Sequence, residues 1–299
     1  VLIYHRVLDR PDPLLPDEPD AAAFAAQMDL LGSSFNVLPL PEAVERLCSG
    51  ALPARAVCIT FDDGYSNNCD VALPILAARG LPATVFVAPG FLNGGRMFND
   101  VVLEAIRRAP QQARARLLGE GDLDLSTTSA RLRTWTRIAA ALKYLEPGER
   151  MRQAEGLAAD LGVELPVNLM MTDTQVRRLH QAGIEIGAHT MSHPILTRVD
   201  GERCLAEMVD SRRRLEEITG ARVTSFAYPN GAPLRDYDRM HVALAREAGF
   251  DLAVSTAWGA ATMRSDRMQL PRIAPWDRSA RRYAMRLAAA YRQRRFQMV

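Results

Sequence analysis

Ala56-Val57-Cys58-Ile59-Thr60-Phe61-Asp62-Asp63-Gly64 is an apolar, β-rich run that stops abruptly on two acids and a glycine. Such a run reads as a strand covered on both faces, the kind a parallel sheet uses, and Asp and Gly are the residues that turn a chain at a strand's end. A second stretch repeats the plan: Gly183-Ile184-Glu185-Ile186-Gly187-Ala188 leads into His189-Thr190-Met191-Ser192-His193-Pro194. Both place polar side chains just beyond the carboxyl end of a parallel strand, where α/β folds put their chemistry. Singly, an Asp-Asp-Gly turn is ordinarily a strand terminator and a His-x-x-x-His pair is incidental. Together, in a chain with five histidines, they offer a carboxylate and two imidazoles, a donor set that suits a divalent metal with open positions. Adjacent acids on a tight turn point apart, so Asp63 can ligate while Asp62 is left beside the metal as a base.

Outward from these segments the chain alternates strands and helices. Val1 to Tyr4 is strand-like; Ala21 to Leu31 is an amphipathic helix with Phe24, Met28 and Leu31 on one face; a helix from Pro41 to Cys48 precedes the strand that ends at Asp62. Val71 to Arg79 reads as a helix stopped by Gly80, and Ala83 to Ala88 as the next strand. Later units are a helix starting at Thr172, a strand at Ser225 to Tyr228, a helix from Arg239 to Ala248, and strands at Leu252 to Ser255 and Leu270 to Ile273. Repeated βα order implies a parallel sheet, and the fold expected is α/β, a distorted (β/α) barrel of about seven parallel strands. Between about residues 92 and 169 the order lapses into Ala-, Leu-, Arg- and Glu-rich helical sequence, including Thr136 to Leu145 and Glu149 to Asp160. This is expected to be a helical insertion near the site within a single 1–299 domain, with a packing decoration as the alternative.

The residues at this point carry a resemblance. The chain resembles the polysaccharide deacetylases of the NodB-homology type, carbohydrate esterase family 4, whose first motif is TFDDG and whose second is H-[ST]-x-x-H-P. Phe226-Ala227-Tyr228-Pro229-Asn230-Gly231 is similar to the family's third motif, which forms one wall of the groove. The resemblance implies a metal-dependent hydrolase that removes N-acetyl groups from an amino-sugar polysaccharide or oligosaccharide. Asp63, His189 and His193 would hold one divalent metal, zinc first and cobalt, nickel, iron or manganese as alternatives. Asp62 would be the base, the Tyr228 N–H would face the oxyanion, and Tyr228, Pro229 and Asn230 would contact substrate. Arg272 is expected either to orient Asp62 or to be a surface arginine at a strand end. The late Leu-x-His motif, which supplies the acid in many members, is missing, because no histidine follows His241. A subset similar to poly-N-acetylglucosamine deacetylases carries an early Tyr-His pair and a permuted motif order, which makes His5 the expected acid. His180 reads as structural. Other readings of the same residues are an amidohydrolase of small amides or cyclic imides, and a non-catalytic carbohydrate-binding relative.

Composition adds bounds. The 299 residues are 48% hydrophobic and 24% charged with a net charge of +2, too small to call for a nucleic-acid partner. Cys48, Cys58, Cys69 and Cys204 show no C-x-x-C spacing. No stretch approaches the ~20 apolar residues of a bilayer span and no signal-peptide pattern opens the chain, so the expected location is cytoplasmic, or periplasmic or cell-envelope if a leader has been removed. The segment from Arg278 to Val299 holds seven arginines and no acid; it is expected to be a basic helix, solvated or paired, with attachment to an anionic membrane surface as the alternative.

Overall fold

The computed structural model describes residues 1–111, 123–274, 277, 280–293 and 296–299. Seven parallel strands build the barrel: β1 (Leu2–Tyr4), β4 (Ile59–Phe61), β5 (Thr84–Val87), β6 (Glu185–Ala188), β7 (Ser225–Ala227), β8 (Leu252–Trp258) and β9 (Leu270–Arg272) are hydrogen-bonded in that order. A short parallel pair, β2 (Asn36–Val37) and β3 (Ala56–Val57), lies outside them. The ring closes just past β9, where Ile3 N–H donates to Ile273 C=O at 3.0 Å and Ile273 N–H to Val1 C=O at 2.9 Å. Closure leaves the barrel itself without an open edge. The expected strand at 56–61 is thus two strands interrupted at Cys58, one in each sheet.

Helices cover the outside because the strands are apolar on that face too. Helix α1 (Ala21–Ser34) is capped by Asp20, which accepts from Ala23 N–H at 2.9 Å, and it sets Phe24, Met28 and Leu31 against the barrel. Tyr4, Phe24 and Phe61 meet there with centroids 5.3 to 5.8 Å apart. Helix α2 (Leu40–Cys48) follows. The expected helix at 71–79 begins earlier, as a π-helical turn from Asn68 to Ala72 that runs into α3 (Leu73–Ala77). Inside the barrel the packing is tight enough to dictate a glycine: a Cβ on Gly187 would stand 2.4 Å from the Phe86 ring.

The insertion leaves the barrel after β5 as α4 (Phe98–Arg108), α5 (Thr128–Leu142) and α6 (Pro147–Asp160), with part of its expected span, 112–122, outside the described residues. It has an apolar core of its own, built on Val102, Ile106, Ile138, Leu142, Ala154 and Leu157. The barrel resumes with α7 (Asp173–Gln181), whose Thr172 and Gln175 make a reciprocal capping box. Next come α8 (Gly201–Thr219) and α9 (Arg239–Glu247). His241 is buried at the start of α9, its ring 2.8 Å from Asp238 in a second capping box, which makes it structural. The final helix, α10 (Ala280–Arg292), is shorter than the basic segment expected at 278–299, some of which is not described. Its Tyr283, Leu287 and Ala290 are buried in the main core, and Arg286 pairs with Asp277. Among the described residues no helix is long and apolar enough to cross a membrane.

Candidate metal and catalytic site

At the end of β4 the two acids part, as adjacent residues on a tight turn must. Asp62 keeps extended pairing, donating its N–H to Tyr4 C=O at 2.9 Å, while Asp63 turns into the left-handed region with φ of 77°. The Asp62 carboxylate takes two hydrogen bonds from Arg272, Nη1 to Oδ1 at 2.7 Å and Nη2 to Oδ2 at 2.6 Å. Arg272 is fully buried, and its Nε donates to Ser255 C=O at 2.9 Å. That removes the surface-arginine alternative and leaves the orienting one. Asp63 instead puts Oδ1 3.5 Å from Nε2 of both His189 and His193.

The second segment completes the group. His189 follows β6, and its Nδ1 lies 2.7 Å from Ala227 C=O. That carbonyl only accepts, so the proton sits on Nδ1 and the Nε2 lone pair faces Asp63. The loop to His193 is held at many points. Thr190 Oγ1 accepts from His193 N–H at 3.1 Å; Ser192 donates its N–H and hydroxyl to Glu207 on α8 at 2.7 and 2.5 Å; Gly90 N–H donates to Met191 C=O at 2.9 Å. Thr190 and His193 adopt φ of 60° and 51°, and Asn230 in the third segment 58°. Left-handed non-glycine residues cost of order 1–3 kcal/mol each and persist where surroundings enforce them, often at functional sites.

The ligand atoms of Asp63, His189 and His193 lie within 4.8 Å of one another, close enough to hold one metal ion. Two of the three charge states, those of Asp63 and His193, are the ones a metal ligand needs. Burial opposes the Asp63 anion, but both histidines more than offset it and hold the carboxyl far below its usual value. Burial, followed by the neighbouring His189, pushes His193 down to about 3, so its ring is neutral and able to donate a lone pair. His189 goes the other way: the Asp62 and Asp63 charges outweigh its burial and raise it. Asp62 is pulled below its ordinary value because Arg272 and His189 outweigh the cost of burying it.

These groups open into a cavity of about 360 Å³ on the face formed by the strands' carboxyl ends. His5 lines it together with Asp62, Asp63, His189, His193 and Asn230. The insertion supplies another wall of this cavity, including Phe98, Asp100, Trp135 and Lys143. Asp100 is buried beside Arg6 and accepts from the Tyr65 hydroxyl at 3.2 Å; burial, with Asp63 nearby, pushes its carboxyl up to about 6 despite Arg6. No motif marked Glu207 or Asp100. A second cavity of about 280 Å³, mainly apolar, lies near the strands' amino ends between α2, β3 and α10 and holds no comparable cluster.

Two expectations for the third segment need correction. The Tyr228 N–H donates to Val254 C=O at 3.2 Å, and its ring is buried in a stack on Tyr237 with centroids 4.0 Å apart. Neither reaches the cavity, because the chain is still paired with β8 there. Pro229 also stays out of the cavity wall, its C=O accepting from Gly231 N–H at 2.6 Å to form the turn that brings Asn230 in. Asn230 alone of the three lines the cavity. His180 stands on α7, away from it.

The polysaccharide deacetylase family matches this chain over residues 49–121 and 158–253, more than half its length, and the chain belongs to that family. The two matched blocks contain all three motifs and are separated within the helical insertion; His5 and Arg272 lie outside them. YxkH of Bacillus subtilis (strain 168), named after the same family, is 21% identical over 275 residues, 91% of this chain and 70% of YxkH. Among solved structures, the deacetylase PplD of Streptococcus pyogenes in complex with acetate superposes with a TM-score of 0.60 at 20% identity, covering 92% of this chain and 91% of that one. IcaB from Ammonifex degensii does so with a TM-score of 0.60 at 19% identity, over 96% and 94%. These structures share the distorted barrel.

Proposed function

We propose that this protein removes N-acetyl groups from an amino-sugar polysaccharide or oligosaccharide by metal-assisted hydrolysis. The observation that carries the reading is the division of labour in one cavity: Asp63 joins the two histidines, Asp62 is turned away to Arg272, and His5 shares the space. A divalent ion held by Asp63, His189 and His193, with zinc favoured by that donor set, would polarise the acetyl carbonyl and acidify the attacking water. The protein's own groups do the rest. Asp62, ionised at neutral pH, keeps lone pairs free beyond its two bonds to Arg272 and takes the proton from the water. His5 gives a proton to the departing nitrogen, which would otherwise leave as a strongly basic amide anion. The Trp135 face and the polar groups of Lys143, Asp100 and Asn230 line the space where the sugar binds.

Acetate release from an N-acetylglucosamine oligomer, abolished by a chelator and restored by zinc, is the direct test. His5→Ala should slow the amide by about 10²–10⁴-fold while sparing an aryl acetate, whose leaving group departs without a proton. Equal losses on both substrates would take the acid role from His5. No acetate from zinc-loaded protein would sink the reading as a whole.

A further inference from the structure

Helix α6 of the insertion places a cation under the metal loop. Arg150 is 5% exposed, and its Nη2 donates to His193 C=O at 2.8 Å. Its Cζ stands 4.7 Å from the centre of the Phe98 ring, and Nη1 approaches Lys143 C=O at 3.5 Å. Among the described residues no carboxylate lies within salt-bridge distance of it, and its hydrogen-bond acceptors are backbone carbonyls. A buried arginine with no carboxylate in contact is costly even with Glu146 acting on it from further away, so its place calls for a reason beyond stability. His193 supplies one. The residue is a candidate ligand at φ of 51°, and with its peptide in that turn its Nε2 stands 3.5 Å from Asp63.

We propose that Arg150 is a positioning residue for the metal centre: by fixing the His193 carbonyl it lets the inserted helices preset the third ligand. This rests on reading Asp63, His189 and His193 as a metal site. The packing of Ala154, Leu157 and Ala158 into the insertion's own core anchors α6, so the clamp is as rigid as that core. Partners that orient a ligand without touching the ion typically carry 10–100-fold in metal affinity.

The test is a zinc titration of the full chain against a chromogenic chelator, beside thermal unfolding of the metal-free protein. Arg150→Met keeps the aliphatic length over Phe98 but loses the donors. It should weaken zinc binding by about 10–100-fold, leave the metal-free Tm unchanged or higher, and reduce kcat more than it changes KM. Arg150→Lys, which retains one donor, should recover part of the affinity. Zinc affinity within twofold of wild type in Arg150→Met overturns the inference, as does a fall in metal-free Tm in both variants that accounts for the lost affinity. A wild-type protein that binds no zinc would instead refute the metal site itself, and the inference with it.

Discussion

Asp62 and Arg272 lie 210 residues apart and form a fully buried, bidentate pair behind the metal ligands. Breaking such a pair from one side strands the other charge, at a cost of about 3–5 kcal/mol. Arg272→Met should therefore lower the midpoint of chemical denaturation sharply. Asp62→Asn, which keeps an acceptor for the guanidinium, should cost less stability, retain zinc, and lose about 10²–10⁴-fold in kcat. A variant Asp62→Asn with wild-type turnover would place the base elsewhere, and a fully stable Arg272→Met would mean the pair is already solvated. The acids and histidines were legible in the sequence because few residue types ligate metals and both segments ended strands. The role of Arg272 stayed open, since nothing local to β9 tells whether a strand-end arginine turns inward. Arg150 and Glu207 left no signal at all: they act on backbone groups of the metal loop, and a backbone carbonyl or N–H has no sequence signature.

The elements around that loop show the same limits. Alternating strands were readable from apolar runs, yet α8, the longest helix among the described residues, has a stripe at Cys204, Met208, Ser211, Leu215 and Ile218 diluted by polar residues. Ser211 and Glu207 are buried there, Glu207 because it receives Ser192, so function weakens the very pattern that marks a helix face. The third segment erred by register. Beyond the end of β7 the Tyr228 N–H is still bonded to Val254, which keeps Tyr228 out of the cavity and gives the position to Asn230. Contact between elements also sets a testable constraint at Gly90, where a Cβ would stand 2.5 Å from Met191 C=O, a backbone atom of the metal loop. Gly90→Ala should push that loop, costing about 1–3 kcal/mol in stability and weakening zinc binding with it. If stability and zinc affinity both stay at wild-type levels, the loop has room to move and its many tethers are not what holds the ligands.

Across the whole molecule the barrel, the outer helices and α10 close over phenols that do not line the site's cavity. Tyr4 donates to Gln27 at 3.0 Å and lies 3.1 Å from the Tyr283 hydroxyl on α10, tying the last helix to the first strand. Tyr228 and Tyr237 stack between β7 and α9. Burial pushes all four phenols above their ordinary value of 10, Tyr237 to about 12. The sign follows directly: the native state keeps these protons when the unfolded chain has begun to lose them. Their stabilising effect is complete below pH 10 and is lost as the pH rises beyond it. Each buried phenol removes up to about 1.4 kcal/mol per pH unit once the pH is well into that window, so four together draw on a large share of the 5–15 kcal/mol typical of a native protein. Alkaline unfolding should accordingly be steep and should begin just above pH 10, with the phenolate absorbance of these residues appearing together with loss of near-ultraviolet circular dichroism. Tyr4→Phe, which leaves Gln27 and Tyr283 to pair with each other, should make the transition shallower. A phenolate signal near pH 10 that disappears in Tyr4→Phe, seen while the fold persists, would show that this side chain reaches water in the native state, and the closure of α10 over β1 would have to be given up.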